Sequence, residues 1–127
     1  MGSKAADAER YHDMLSADHR DWLFRELRNY LELLAADGST ALAGVPDGCN
    51  KPSELALMFD NFRSAVVGNF AAELPPELLA ALAGVDAALD RIPRHGWTDE
   101  AVRSAPEWQA VRDEATVAVQ HLNLTEY

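Results

Sequence analysis

The chain has 127 residues, of which 48% are apolar and 25% charged, and its formal net charge is −10. These proportions are typical of a globular domain and exclude a disordered chain, and the length is that of about one domain. A strongly negative charge opposes binding to phosphate backbones and to anionic membrane surfaces. We therefore expect a single folded domain that binds neither nucleic acid nor membranes.

The sequence carries few signals of location or covalent structure. It has no apolar run of the roughly 18 residues that a membrane span needs, and its start has no apolar signal-peptide region, so we expect a cytoplasmic protein. Its single cysteine excludes an internal disulfide. Nine arginines against two lysines indicate a GC-rich genome, which we expect to be bacterial. We place one helical domain at residues 5–124 and expect residues 1–4 to be disordered or left over from cloning.

The first predicted helix begins near residue 5. Its apolar residues recur at helical spacing, namely Leu23, Leu27, Tyr30, Leu31 and Leu34. Gly38 is placed to end this helix. Ser16 or Asp18 could instead cap a new start, so the sequence leaves open whether residues 5–15 form a separate short helix.

The segment 37–52 follows, with the sequence DGSTALAGVPDGCNKP. It holds three of the seven glycines, two of the six prolines and the only cysteine. A connection this long in a small domain is uncommon, and it favours an ordered surface loop, which could contact a partner or pack over one end of the bundle. Asp47 and Asn50 are its candidate binding residues, and we interpret Cys49 as an incidental thiol.

Two apolar helices are predicted next. The helix over residues 51–70 has a continuous apolar stripe, formed by Leu55, Met58, Phe59, Phe62, Val66 and Phe70. The next helix follows Pro75 and Pro76 and ends before Pro93, with an apolar face formed by Leu78, Leu79, Leu82, Val85, Leu89 and Ile92. Gly68 and Gly84 indicate close helix contacts, although Gly68 could instead end its helix.

Two more helices complete the prediction. Thr98 is expected to cap a short one, with Trp97 and Val102 as a hydrophobic staple. Ser104 and Glu107 resemble a capping box that opens the last helix. That helix presents Trp108, Val111, Ala115, Val119 and Leu122. Because no segment alternates as a strand does, the fold class is all-α: an irregular bundle of about four main helices plus one or two short helices.

Motifs of catalysis and metal binding are missing from the sequence. His12 and His19 would lie about 10 Å apart along a helix, too far to share a metal ion. The sequence has no Glu-x-x-His motif, phosphate-binding glycine loop or nucleophile elbow. We therefore predict no metal, no cofactor and no catalytic residues, and an enzyme is the less favoured interpretation.

The acidic second half of the chain provides the main functional hypothesis. Residues 73–114 contain nine acidic and four basic residues, and so carry half of the net charge of −10. Such a field favours a cationic partner. We predict a small protein-binding module for a basic protein, as in inhibitors or immunity proteins that mask a nuclease or a nucleic-acid-binding domain. The predicted binding residues are Asp86, Asp90, Asp99, Glu100 and Glu107, supported by Trp97, Asp47 and Asn50.

Two alternatives remain open. The alanine-rich stretch LLAALAGVDAAL, residues 78–89, could pack against a second copy and make the chain a homodimer or a structural subunit. Alternatively, a pocket between helices could combine Cys49, a histidine and a carboxylate in a small-molecule binder or enzyme. All three tryptophans are expected to pack in the core, with Trp97 the one expected to be partly exposed.

Overall fold

A computed structural model describes the backbone of residues 2–125 and the side chains of residues 18–125. The expectation that residues 1–4 are disordered or left over from cloning stays a prediction, and the His12 side chain lies outside the described side chains.

The described part of the chain is built from six α-helices and has no strand. The helices are α1 (Gly2–Ala35), α2 (Gly38–Ala43), α3 (Lys51–Phe70), α4 (Pro76–Asp90), α5 (Asp99–Ser104) and α6 (Pro106–Thr125). Short 3-10 turns follow α3 at Ala71–Glu73 and precede α5 at Arg94–Gly96. The predicted fold class, an all-α bundle of about four main helices plus one or two short ones, is therefore confirmed.

One apolar core holds the helices together. Helix α6 packs against α4 and α1, and α1 also packs along α3. Among residues 18–125 no charged or polar side chain is buried. The fully buried side chains include Leu27, Leu31, Leu55, Phe59, Val66, Leu78, Leu82, Val85, Val111 and Leu122. Burial of such side chains is the main favourable contribution to folding.

The segment between α1 and α3 contains a short helix, α2. Helix α1 is continuous through residues 16–18 and ends at Ala35. The Asp37 carboxylate then accepts hydrogen bonds from the Thr40 backbone N–H (2.9 Å) and hydroxyl (2.7 Å), which cap α2 and lower the pKa of Asp37. The prediction that Gly38 ends the first helix is wrong, because Gly38 opens α2. A Cβ there would lie 2.6 Å from the Arg103 Cα, so only glycine lets α2 approach α5 this closely.

Helix α3 has the predicted bounds. The Asn50 side chain caps it by accepting from the Ser53 N–H at 2.9 Å. Gly68 neither ends α3, which continues to Phe70, nor makes a close contact, since a Cβ there would have no neighbour within 4 Å. Gly84 does mark a close contact, because a Cβ on it would meet the Glu114 carboxylate of α6. Helix α4 therefore packs closely on α6 at Gly84, whereas three of its alanines are exposed, namely Ala80, Ala83 and Ala87.

A single residue, Ala105, separates the last two helices, α5 and α6. Thr98 caps α5 as predicted, by accepting from the Ala101 N–H at 3.1 Å. The predicted capping box is wrong: Ser104 is the last residue of α5, and its hydroxyl donates to the Glu100 carbonyl at 2.9 Å. Pro106 begins α6, so the Ala105 carbonyl accepts the first N–H groups of that helix.

None of the described helices combines the length and the apolar character that crossing a bilayer requires.

Candidate functional site

A shallow, open depression of about 290 Å³ lies between α3 and α4, and we refer to it as the acidic groove. Its wall on α3 is formed by Ala56, Leu57 and Asp60, and its opposite wall by Asp86, Leu89, Asp90 and Trp97. Three carboxylates therefore surround a largely apolar floor. This combination suits a ligand that has both a positive charge and an apolar part.

The α3 wall lies on the outer face of a core helix. Leu55 and Phe59 point into the core and are fully buried, whereas Leu57 is 52% exposed. Asp60 follows Leu57 by three residues and therefore shares its face of the helix. The small side chain of Ala56 leaves space between the two helices. Leu57 is one of four large hydrophobic residues exposed among residues 18–125.

The α4 wall presents two carboxylates one helical turn apart. Asp86 and Asp90 are at positions i and i+4, where like charges cost roughly 0.2–0.5 kcal/mol of helix stability. Asp86 retains 40% of its side-chain exposure. Asp90 is exposed, and it forms no ion pair among residues 18–125.

Arg63 lies between the two walls. Its Nη2 is 2.8 Å from the Asp60 Oδ1 and 3.8 Å from the Asp86 Oδ1. One guanidinium therefore offsets only part of the charge of the three aspartates. The residues that line the groove therefore carry a net negative charge, and Asp90 is the aspartate that Arg63 does not contact.

Trp97 lines one end of the groove, and its ring packs on the buried Trp108. The two rings meet edge-to-face, with 5.5 Å between their centroids. The Trp108 indole N–H donates to the Gly96 carbonyl at 2.8 Å, and the Asn50 amide donates to the Trp97 carbonyl at 3.3 Å. These contacts fix the backbone on both sides of the Trp97 ring, so the aromatic wall is positioned before any ligand binds.

The groove brings together three of the predicted binding residues, Asp86, Asp90 and Trp97. The other predicted residues do not line it. Asp99 and Glu100 lie in the first turn of α5 and Glu107 in the first turn of α6, where negative charge stabilises a helix start.

The two loop residues also lie outside the groove. Asp47 is almost fully exposed and pairs with Lys51 at 3.0 Å. Asn50 uses its amide within the fold, both to cap α3 and to hold Trp97. Nearby, Cys49 is exposed, and its thiol donates to the Pro46 carbonyl at 3.3 Å.

Sequence reasoning missed Leu57 and Asp60 as groove residues. Their signal was present, because both fall on the polar side of the apolar stripe that defines α3. An exposed leucine beside an aspartate is common on helix surfaces, however, and does not by itself indicate a site. Only the packing of α4 beside α3 places these two residues opposite Asp86 and Asp90.

The other side of α3 is filled by aromatic side chains, and we refer to this surface as the aromatic flank: His19, Trp22 and Tyr30 of α1 with Phe62 of α3. Tyr30 stacks on Phe62 at 5.7 Å between centroids, and Trp22 meets the same ring edge-on at 5.3 Å. His19 stacks on Trp22 at 5.6 Å. Trp22 is nevertheless 41% exposed, so the expectation that Trp22 lies in the core is wrong.

Negative charge also surrounds the aromatic flank. Partial burial raises the pKa of Tyr30, and the nearby carboxylates of Glu26 and Glu54 raise it further, because each disfavours the phenolate. The Tyr30 hydroxyl therefore stays protonated through the neutral pH range. In the aromatic flank the carboxylates lie beside rings that pack on one another. In the acidic groove they lie around an open depression.

A larger depression of about 510 Å³ lies between α1 and α2. It is lined by Glu26, Asn29, Tyr30, Glu32, Leu33, Ala36, Thr40 and Gly44. None of the predicted binding residues lines it, and Cys49 lines neither this depression nor the acidic groove. Within the described part of the chain, no group of three or more histidine, cysteine or acidic residues is placed to hold a metal ion.

The chain matches no protein-family model, no curated protein and no solved structure. Its function is therefore argued from the geometry of the acidic groove.

Proposed function

We propose that this protein is a small acidic binding module that docks a basic protein at the acidic groove, in the manner of inhibitors and immunity proteins that mask a basic surface. The observation that carries the proposal is the convergence of Asp60, Asp86 and Asp90 around an open apolar floor that ends at Trp97. In a chain with a net charge of −10, this groove is a defined surface where negative charge adjoins apolar side chains.

Charge alone would provide steering but little specificity. A field of this sign raises the association rate of a cationic partner, whereas lasting affinity comes from apolar and aromatic contacts that exclude water. Leu57 and Trp97 provide such contacts within the groove. A centre with apolar anchors and a charged rim is the usual anatomy of a protein interface.

The groove is also available for binding. Arg63 neutralises part of its charge, but Asp86 and Asp90 keep their mutual repulsion. A bound cation would relieve that repulsion. Removing one of these carboxylates should therefore weaken binding without harming the fold.

Capture from a lysate of the source cell, with matched charge variants, tests the proposal. The immobilised wild-type protein should retain one basic protein at low salt and release it at high salt. The variant Asp86→Asn/Asp90→Asn should retain much less of that protein. The variant Asp18→Asn/Asp113→Asn makes the same change in net charge at exposed positions outside the groove, and should retain it as the wild type does.

Equal retention by both double variants would show that net charge, rather than the groove, attracts the partner. Failure of the wild type to retain any basic protein would overturn the proposed function itself.

A further inference from the structure

We infer that the acidic groove is an arginine-binding site: it takes one arginine side chain of the partner between the Asp86–Asp90 pair and the ring of Trp97. The inference rests on the proposed function and names the chemical group that the groove recognises.

Arg63 of the chain itself already places a guanidinium against two of the three aspartates of the groove, Asp60 and Asp86. It approaches the groove from α3 and places Nη2 2.8 Å from Asp60 and 3.8 Å from Asp86. The longer of these distances leaves the Asp86 carboxylate free to accept from a second donor. Asp90, one turn further along α4, forms no ion pair with the side chains of residues 18–125. A second guanidinium there would meet Asp90, which has no ion-pair partner among residues 18–125, and Asp86, whose charge Arg63 offsets only in part.

Trp97 favours arginine over lysine at this position. A guanidinium is planar and weakly hydrated, so it can stack on an aromatic face while its N–H groups reach a carboxylate. An ammonium group is a compact and strongly hydrated point charge, and it gains less from such a wall. The contacts of Trp97 with Trp108 and of its carbonyl with Asn50 hold the ring in place.

The apolar floor fits the rest of the side chain. Ala56, Leu57 and Leu89 line the groove beside the aspartates, and the methylene stem of an arginine can cover such a surface while its charged end reaches the rim. At about 290 Å³ the groove is large enough for a side chain and too small for a folded element.

Short peptides and NMR provide the test. The probes are Ac-Ala-Arg-Ala-amide, the same peptide with lysine, and the same peptide with citrulline, which keeps the shape of arginine without its charge. Each is titrated to millimolar concentration into the full chain labelled with ¹⁵N. The signals to follow are the Trp97 indole N–H and the backbone amides of residues 86–90.

We expect the arginine peptide to shift these signals and to bind about two- to fivefold more tightly than the lysine peptide. This factor is the cation–π contribution at an exposed site, which the guanidinium gains on Trp97 and the strongly hydrated ammonium does not. The citrulline peptide should leave them unchanged. Asp90→Asn, at an exposed position, should weaken arginine binding without changing the fold, and Trp97→Leu should reduce the preference for arginine over lysine. Shifts spread over the whole acidic surface, or equal affinities for arginine and lysine, would overturn the inference.

Failure of this inference and failure of the proposed function give different results. If the partner is captured through Asp86 and Asp90 while the arginine and lysine peptides bind equally, the proposed function stands and the arginine site is wrong. If the arginine peptide binds at the groove while no basic protein is captured, the site stands and the proposed function is wrong.

Discussion

Helix α3 has a groove on each side, and the chain fills one of them and leaves the other open. Toward α1, Phe62 contacts both Trp22 and Tyr30. Toward α4, Ala56 and Asp60 face Asp86 and Asp90 across a depression of about 290 Å³. Aromatic contacts stabilise the first side, whereas the second has a small side chain and carboxylates that repel one another. The open side therefore contributes less side-chain packing to the fold than the filled side does, and this makes it the better candidate for binding.

The largest loss of stability should come from removing the Phe62 ring from the aromatic flank. Phe62→Ala removes a partly buried ring that contacts two others, and it should lower the free energy of unfolding by about 2–3 kcal/mol, somewhat less than for a fully buried phenylalanine. Leu57→Ala, on the open side, should change it by less than about 0.5 kcal/mol. Urea unfolding of the two variants measures both values. Similar losses would mean that the two sides contribute equally to stability.

Filling the open side should affect binding rather than folding. Ala56→Leu places a larger side chain in the groove and should weaken binding of the captured basic protein at least about tenfold, which is 1.4 kcal/mol. Ala83→Leu is the control, because Ala83 is exposed on α4 and does not line the groove. Calorimetric titration measures both affinities. A partner that binds Ala56→Leu as tightly as the wild type does not dock in the groove.

A substitution near the end of α3, Gly68→Ala, should stabilise the fold. Gly68 lies inside the helix with open space around it, so Gly68→Ala should raise the free energy of unfolding by about 0.5–1 kcal/mol. The change should leave partner binding unaltered, because Gly68 does not line the groove. Thermal unfolding measures the first effect, and loss of stability would mean that this turn of α3 has a contact partner.

The smallest expected effect is a gain in stability at the groove itself. Asp90→Asn removes the repulsion between Asp86 and Asp90 and should raise the free energy of unfolding by roughly 0.2–0.5 kcal/mol at low salt. The gain should shrink as salt screens the two charges. Unfolding at two salt concentrations measures both effects. A loss of stability would indicate that Asp90 has a favourable partner within the fold.

The fold was largely predictable because its helix signals are local. The apolar stripe of α3 and the cap of α5 by Thr98 involve residues that lie close together in sequence, and both predictions are confirmed. The cap of α3 by Asn50 is equally local, but Asn50 was predicted to bind a partner instead. Helix α2 was missed because Asp37 and Gly38 resemble a turn. Gly38 at its start packs against Arg103 of α5, and a contact between residues so far apart in sequence cannot be inferred from the local pattern. Ser104 was misread because its hydroxyl bonds backward to Glu100 instead of forward.

The site was less predictable than the fold. Charge density pointed to Asp86 and Asp90, and the position of Trp97 beside a turn indicated its partial exposure. Charge density selected Asp99, Glu100 and Glu107 equally, although helix starts explain those residues. Leu57 and Asp60 could not be selected, because their role depends on how closely α4 lies to α3.

Site-specific photocrosslinking on the two sides of α3 tests the central claim most directly. A benzophenone side chain replaces Leu57 in the acidic groove or Trp22 on the aromatic flank, positions that are 52% and 41% exposed. Each protein is irradiated in a lysate of the source cell at low and high salt. The groove account predicts a crosslink to one basic protein from position 57, weakened by salt, and none from position 22. A crosslink from position 22 alone, or from neither position, would contradict it.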